Sequence, residues 1–347
     1  MTKKIGLLTG GGDAPGLNGI LEAAGRVLLR QGVELIGIED GFEGIFEGRH
    51  RLIDLEDLEG IHQVAGTLLG TSNKSGTQGR EKEFAEKISK LKLEGLLVAG
   101  GDGTFAALRQ IASVVPGSVK VVGVPKTIDN DLSGTEITFG YDTACSVIAD
   151  AVNSLRVSAE AHRRLMVVEV MGRTAGWLAL GGGMASYAEV ILVPERPFDR
   201  GELLKFLRDQ QSKRRGLVIV VAEGATAQGE DPSVAFTVEG SPESVRLGGI
   251  GQKLARWIEQ ETGWESRAVV LGHLQRSRHP TTTDCFLTLS MGVEAARMIL
   301  EGQWDHAAVY RNGTVVRAPI TEIMGPPRRI SADHRWLKLS QALGTFI

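Results

Sequence analysis

The constraint that narrows the fold most is a rhythm. Short runs that are apolar almost throughout alternate with helix-length segments whose apolar residues recur three and four apart. The runs are Ile5–Leu8, Gly95–Ala99, Val119–Val124, Leu165–Val170, Val190–Val193, Leu217–Ala222 and Ala268–Leu271. The helical stretches carry Leu17/Leu21/Ala24/Leu28, Phe84/Ile88/Leu91, Phe105/Leu108/Ala112/Val115 and Ala144/Val147/Ile148/Ala151/Leu155. A run without polar alternation suits a strand buried on both faces, as in a parallel sheet covered by helices. The alternation therefore predicts a doubly wound α/β protein. At 347 residues the chain exceeds the roughly 250–300 at which a single core stops growing, so two lobes are expected. Residues 224–249 hold few apolar side chains and are expected to form an inserted surface loop. Asn312-Gly313, between apolar stretches over 307–316, is a hairpin signal.

Charge is nearly balanced, with 39 basic and 42 acidic residues for a net −3. That argues against coating nucleic acid or a membrane surface and leaves small anionic substrates open. The 45 glycines exceed the usual ~7% and gather at loop junctions, where close backbone approaches need them. Cys145 and Cys285 are too few for a disulfide framework and are expected as buried thiols. The start, Met-Thr-Lys-Lys, lacks a signal-peptide core, and no apolar run approaches the ~20 residues of a membrane span. A cytoplasmic protein is expected.

Ligands of doubly wound folds bind at the carboxyl ends of the strands, and three such ends carry suggestive chemistry. Gly10-Gly11-Gly12-Asp13-Ala14-Pro15-Gly16 follows the first run and opens a helix. Its glycines admit a ligand to the backbone, and a helix N-terminus attracts an anion; Pro15 suits a first helical turn. A plain strand-to-helix turn is the alternative, since neither the Walker A nor the Gly-x-Gly-x-x-Gly pattern fits. In Gly100-Gly101-Asp102-Gly103-Thr104, Asp102 stands between glycines that leave room for a phosphate and a hydrated Mg²⁺; alternatively Asp102 or Thr104 caps the next helix. Pro125-Lys126-Thr127-Ile128-Asp129-Asn130-Asp131 sets two carboxylates beside a lysine and a hydroxyl, so that one acid can act as base while the other supports it. A polar turn is the alternative.

Met171-Gly172-Arg173, Glu223 and His273-Leu274-Gln275-Arg276 follow later runs, while Arg164 and Arg267 sit just before strands. Arginine forks bind phosphate bidentately, so these strand-end residues are expected to face one crevice and clamp a phosphorylated substrate.

These residues resemble the 6-phosphofructokinase family along nearly the whole chain. The resemblance rests on Leu8–Asn18, Gly100–Thr104, Pro125–Asp131, Glu169–Arg173 and Leu271–Arg276. The protein-kinase signatures His-Arg-Asp and Asp-Phe-Gly are absent. The resemblance implies two lobes, each a mostly parallel sheet flanked by helices. It puts a larger nucleotide-binding lobe at 1–140 plus 275–325 and a smaller sugar-phosphate lobe at 141–274 plus 326–347. It implies transfer of the γ-phosphoryl of ATP to the 1-hydroxyl of fructose 6-phosphate, a glycolytic step. Asp129 is implied as general base, Thr127 as the hydroxyl holding the transferring phosphate, and Asp131 as support. Asp102 is implied to hold Mg²⁺, with Gly12, Gly101, Gly103, Thr104 and Lys126 around the nucleotide. Met171, Gly172, Glu223 and His273 are implied to bind the sugar; Arg164, Arg173, Arg267 and Arg276 are implied to face its phosphate or the developing charge. Arg164 and Arg267 are implied to come from a neighbouring subunit, which makes a homotetramer the expected assembly.

Departures bear on the donor. Pyrophosphate-using relatives resemble Gly-Gly-Asp-Asp with Pro-Lys-Thr, and ATP-using bacterial members resemble Gly-Gly-Asp-Gly with Pro-Gly-Thr. This chain has Gly103 and Lys126, one from each. A carboxylate at 103 would crowd and repel the ATP α-phosphate, whereas either donor tolerates the lysine, so ATP is expected and pyrophosphate is the alternative. Asn73-Lys74 stands where many ATP users have an arginine on the transferring phosphate. Ser277-Arg278 replaces a pair of glycines, and these two changes carry a further alternative, a weakly catalytic sugar-phosphate-binding homologue. Glu22 stands where regulated bacterial members have an effector-binding arginine, with Arg26, Arg156 and Lys213 retained. A glutamate repels a phosphate effector, so regulation by nucleoside diphosphate or phosphoenolpyruvate is not expected.

Overall fold

The apolar run at Ile5–Leu8 forms the middle of strand β1 (Lys4–Thr9), which lies inside a sheet and is wholly buried from Ile5 onward. The computed structural model describes residues 3–72, 77–237 and 245–347. The chain divides into two units: Met1–Ile128, Leu132–Asp142 and Arg276–Pro326 form the first, and Asp129–Asp131, Thr143–Gln275 and Pro327–Ile347 the second.

In the first unit β1 leads through α1 (Leu17–Arg30) to β2 (Glu34–Ile38), α2 (Phe42–Glu47) and β3 (His50–Ile53). Then come α3 (Glu81–Lys90), β4 (Gly95–Gly100), α4 (Asp102–Val114) and β5 (Val121–Pro125). The second unit follows with α5 (Tyr141–His162, whose first two residues belong to the first unit), β6 (Leu165–Val170), α6 (Trp177–Ala185), β7 (Val190–Leu192), α7 (Arg200–Lys213) and β8 (Leu217–Ala222). It continues with β9 (Val234–Thr237), β10 (Val245–Leu247), α8 (Ile250–Thr262) and β11 (Ser266–Val270). The chain returns to the first unit with α9 (Thr282–Glu301), β12 (His306–Arg311) and β13 (Thr314–Pro319), and α10 (Arg335–Ala342) closes the second.

The first sheet has the order β13-β12-β5-β4-β1-β2-β3. Its five inner strands are parallel, and β13 and β3 add antiparallel edges. One face packs on Phe42, Phe46, Phe84, Phe105 and Leu108 from α2, α3 and α4. α9 packs on α1 and on β5 and β12. The α1–α9 approach is close because Gly19 and Gly292 carry no Cβ: one on Gly19 would lie 2.2 Å from Thr288 Oγ1, and one on Gly292 2.8 Å from Ala23 Cβ. The Asn312-Gly313 turn has φ of 51° and 81°, as a type I′ hairpin requires.

The second sheet, β11-β6-β8-β7, is parallel throughout. Its core gathers Leu203 and Leu207 of α7 with Leu254 and Ile258 of α8. Glu169 is buried within β6, yet its carboxylate accepts the N–H groups of Gly249 (2.9 Å) and Gly251 (2.8 Å) at the start of α8, where the helix dipole favours an anion.

Three expectations need correction. Pro15 precedes α1 rather than opening it; the cap is Gly16, at φ 100°. Residues 224–249 are not loop alone, because β9 and β10 pair antiparallel within them; their apolar content was too low to signal strands. Arg267 lies inside β11, which starts two residues earlier than the apolar run suggested. Cys145 is buried and Cys285 partly so, and neither forms a disulfide. No helix among the described residues is long and apolar enough to cross a membrane.

Candidate active site

The three polar motifs leave the C-terminal ends of β1, β4 and β5, which are neighbours in one parallel sheet. β2 lies on one side of β1 and β4 on the other, so the chain switches direction between β1 and β4, where α/β folds bind ligands. The loops are stitched by their backbones: Gly10 N–H donates to Ala99 O (2.9 Å) and Lys126 N–H to Gly100 O (2.9 Å). Thr71 Oγ1 donates to Gly11 O (2.5 Å), bringing the 67–72 loop alongside.

Thr104 is buried, and its side chain packs beneath the motif. A Cβ on Gly10 or Gly100 would approach it to 2.9 and 2.6 Å. Asp102 is exposed at the first position of α4, where its Oδ1 accepts Gly103 N–H (2.8 Å). A Cβ on Gly103 would meet nothing within 4 Å. Lys126 is buried, 5% exposed. Thr127, Asp129 and Asp131 are half-buried, and Asn130 between the carboxylates adopts φ 54°. Thr127 falls in the first unit and Asp129 in the second. Arg276 Nη1 donates to Asp13 O (2.6 Å) and lies 3.1 Å from where a Gly12 Cβ would sit, so its guanidinium covers the glycine loop. Asn73 and Lys74 lie outside the described residues.

The second unit collects its own set at the C-terminal edge of β6, β8 and β11. Glu223 N–H donates to Val170 O (2.9 Å) and Gly224 N–H to Gly172 O (3.2 Å). Gly172 stands at φ 131°, and a Cβ on Gly224 would fall 1.9 Å from Arg173 O, so only glycine lets these loops meet. Met171 N–H donates to Gln275 Oε1 (3.3 Å), and Gln275 Nε2 donates to Gly272 O (3.0 Å). Met171, Gly172, Arg173 and Glu223 are thus brought together, with His273 exposed on the adjoining single turn Gly272–Arg276. Gln275, fully buried, was missed as a site residue; nothing in its spacing distinguishes it from its neighbours.

Arg164 and Arg267 do not join that set. They stand at the opposite edge, the N-terminal ends of β6 and β11, and β6 is six residues long, about 20 Å at the usual rise. Within one chain, then, the arginines do not all face one crevice: strand starts and strand ends lie on opposite edges of a parallel sheet. Both guanidinium groups close on Glu265 (2.8 and 2.6 Å). The hydrogen bond from Arg164, outweighing a smaller contribution of burial, holds the Glu265 carboxyl below its ordinary pKa.

Among the described residues no group of three or more acidic, histidine or cysteine side chains forms a metal cage. The donor set around Asp102 is one accessible carboxylate between two glycines, and it fits an ion held mostly by phosphate oxygens, as Mg²⁺ is.

The phosphofructokinase family model matches residues 4–299. The chain is 39% identical over 336 residues to "ATP-dependent 6-phosphofructokinase 2" of Streptomyces coelicolor, covering 95% of this chain and 97% of that protein. It is also 39% identical over 334 residues to the "Pyrophosphate--fructose 6-phosphate 1-phosphotransferase" of Amycolatopsis methanolica, covering 94% and 97%. Among solved structures, the phosphofructokinase of Saccharomyces cerevisiae superposes with a TM-score of 0.81 at 28% identity, over 93% of this chain and 45% of the yeast one. With its two parallel-stranded units and its motifs at their carboxyl edges, this chain belongs to the phosphofructokinase family.

Proposed function

We propose that the protein transfers the γ-phosphoryl group of ATP to the 1-hydroxyl of fructose 6-phosphate, giving fructose 1,6-bisphosphate and ADP. The observation that carries the reading is the convergence of the Gly10–Gly16, Gly100–Thr104 and Pro125–Asp131 loops on three adjacent parallel strands. The first unit receives the donor: its glycine loops and the start of α4 offer backbone N–H groups to phosphate oxygens. Asp102 would hold Mg²⁺, which when bound neutralises charge on those phosphates. The second unit receives the sugar through Met171, Gly172, Glu223 and His273, with Arg173 facing the developing charge. Arg276, which lies over Gly12, is the further phosphate contact. Asp129 takes the proton of the 1-hydroxyl as its oxygen attacks the γ-phosphorus and the bond to the ADP oxygen breaks. Thr127 donates to the transferring phosphoryl group, and Asp131 supports the base.

Arg164 and Arg267 serve a neighbouring subunit's site in a homotetramer. Their position at the edge away from Met171 and Glu223 supports that arrangement.

Relatives of equal identity carry either donor in their names, so the choice falls to particular residues. Gly103 leaves space at the start of α4, whereas Lys126 is buried and discriminates little. The test is turnover with Mg-ATP and with Mg-pyrophosphate, side by side. ATP supports turnover if the reading holds; turnover with pyrophosphate alone overturns it. Because a Cβ at this position would meet nothing within 4 Å, Gly103→Asp is expected to fold normally and to weaken ATP use by about tenfold or more, equivalent to about 1.4 kcal/mol.

A further inference from the structure

The segment Pro327–Ile347 belongs to the second unit together with Asp129–Asp131, and Arg328 joins the two. Its backbone N–H donates to Asp131 O (2.6 Å). Its guanidinium donates to Asn130 O twice, from Nη2 (2.7 Å) and Nε (3.2 Å). Asn130 occupies left-handed backbone space at φ 54°, a conformation that persists where its surroundings over-determine it. One arginine thus holds two successive carbonyls, that of the left-handed residue and the next.

Arg328 is itself fixed from behind. Its guanidinium lies 4.6 Å over the Trp177 ring, and Trp177 Nε1 donates to Arg328 O (2.8 Å). Trp177 is buried at the first position of α6, four residues after Arg173. His334 and Trp336 meet its ring edge-on at 5.0 and 6.3 Å. Glu195 accepts both Ile330 N–H (3.0 Å) and Gly176 N–H (3.0 Å). These contacts, with buried Ile330 and Leu337, suffice to fasten the terminal arm. The forked, charge-assisted grip on the Asn130 carbonyl comes on top of that fastening and holds the turn as well.

We propose that Arg328 is a positioning residue, setting the backbone of the Asp129–Asn130–Asp131 turn and hence the aim of the Asp129 carboxylate. The proposal rests on the reading of Asp129 as the general base.

The experiment measures kcat, KM, the pH profile and Tm on the intact protein with Mg-ATP and fructose 6-phosphate. Arg328→Ala is expected to lower kcat by up to about 100-fold, the scale of a base misplaced by an ångström. KM for both substrates stays near its original value, and the acidic limb of the kcat profile moves. Arg328→Lys keeps one charged donor and recovers part of the loss; it also carries the test should the alanine variant not fold. Leu337→Ala loosens the same arm and is expected to lower Tm with kcat unchanged. Asp129→Asn separates the two readings: it should lower kcat by roughly 10²–10⁴-fold, and adding Arg328→Ala should then lower it no further. The positioning role is overturned by wild-type kcat in folded Arg328→Ala, by equal kcat losses in Arg328→Ala and Leu337→Ala, or by fully additive losses in the double variant. Undiminished turnover in Asp129→Asn sinks the base reading itself, and the proposal with it.

Discussion

Glu22 illustrates how one residue can be visible in sequence while its work is not. The sequence marks it as a departure from an effector-binding arginine. The structure shows its buried carboxylate accepting His62 N–H (2.9 Å), the His62 ring Nδ1 (2.7 Å), Arg26 (3.0 Å) and Gly60 N–H (3.4 Å). Burial alone raises its pKa, but the hydrogen bonds from His62 and Arg26 outweigh it and hold the group below its ordinary 4.5. A carboxylate with a depressed folded pKa contributes stability that is fully present above about pH 4.5 and fades as pH falls through the folded value. Glu22→Gln is therefore expected to lose about 1–3 kcal/mol at neutral pH. The gap to the wild type should shrink below pH 4.5, as urea unfolding at several pH values would show; a gap that stays constant into acid excludes the account. Asp102 and Asp129 could be singled out as candidates because strand-end position and residue type suffice to flag them. The grip of Arg328 on Asn130 spans 198 residues of sequence, and no local pattern announces it.

Elements were legible where side chains repeat. β4, β6 and β8 are buried at every position, and each was marked by its apolar run, broken in β6 only by Glu169. β3 went unseen because it is an edge strand with exposed His50 and Leu52. In α9 the buried stripe includes the small residues Gly292, Ala295 and Ala296, which give a weak periodic signal but allow the close approach to α1. Small residues matter equally where the loops after β6 and β8 meet. Gly224→Ala would drive a methyl into the Arg173 carbonyl, an overpacking worth about 1–3 kcal/mol. The expected outcome is a lower Tm with a raised KM for fructose 6-phosphate and little change in KM for ATP, since the displaced loop carries Met171 and Arg173. A variant with both KM values unchanged would separate that contact from sugar binding.

At the scale of the whole molecule, the sequence revealed two α/β lobes and set Arg164 and Arg267 before strands, with the other polar residues after them. In the fold the two arginines stand about 20 Å from the residues at the carboxyl ends. Their placement makes an assembly experiment decisive. Asp129→Asn and Arg267→Ser chains, each weakly active alone, are mixed, dissociated and reassociated. If Arg267 serves a neighbour, hybrid assemblies contain sites with an intact Asp129 from one chain and an intact Arg267 from the other, and turnover rises above either parent. No recovery on mixing would confine each arginine to its own chain. The open space beside Gly103 has a consequence on another timescale. Two of the four glycine codons become aspartate codons by a single nucleotide change, and here the new Cβ would meet no atom within 4 Å. Position 103 can thus exchange glycine for aspartate in one mutational step without a clash at the new Cβ.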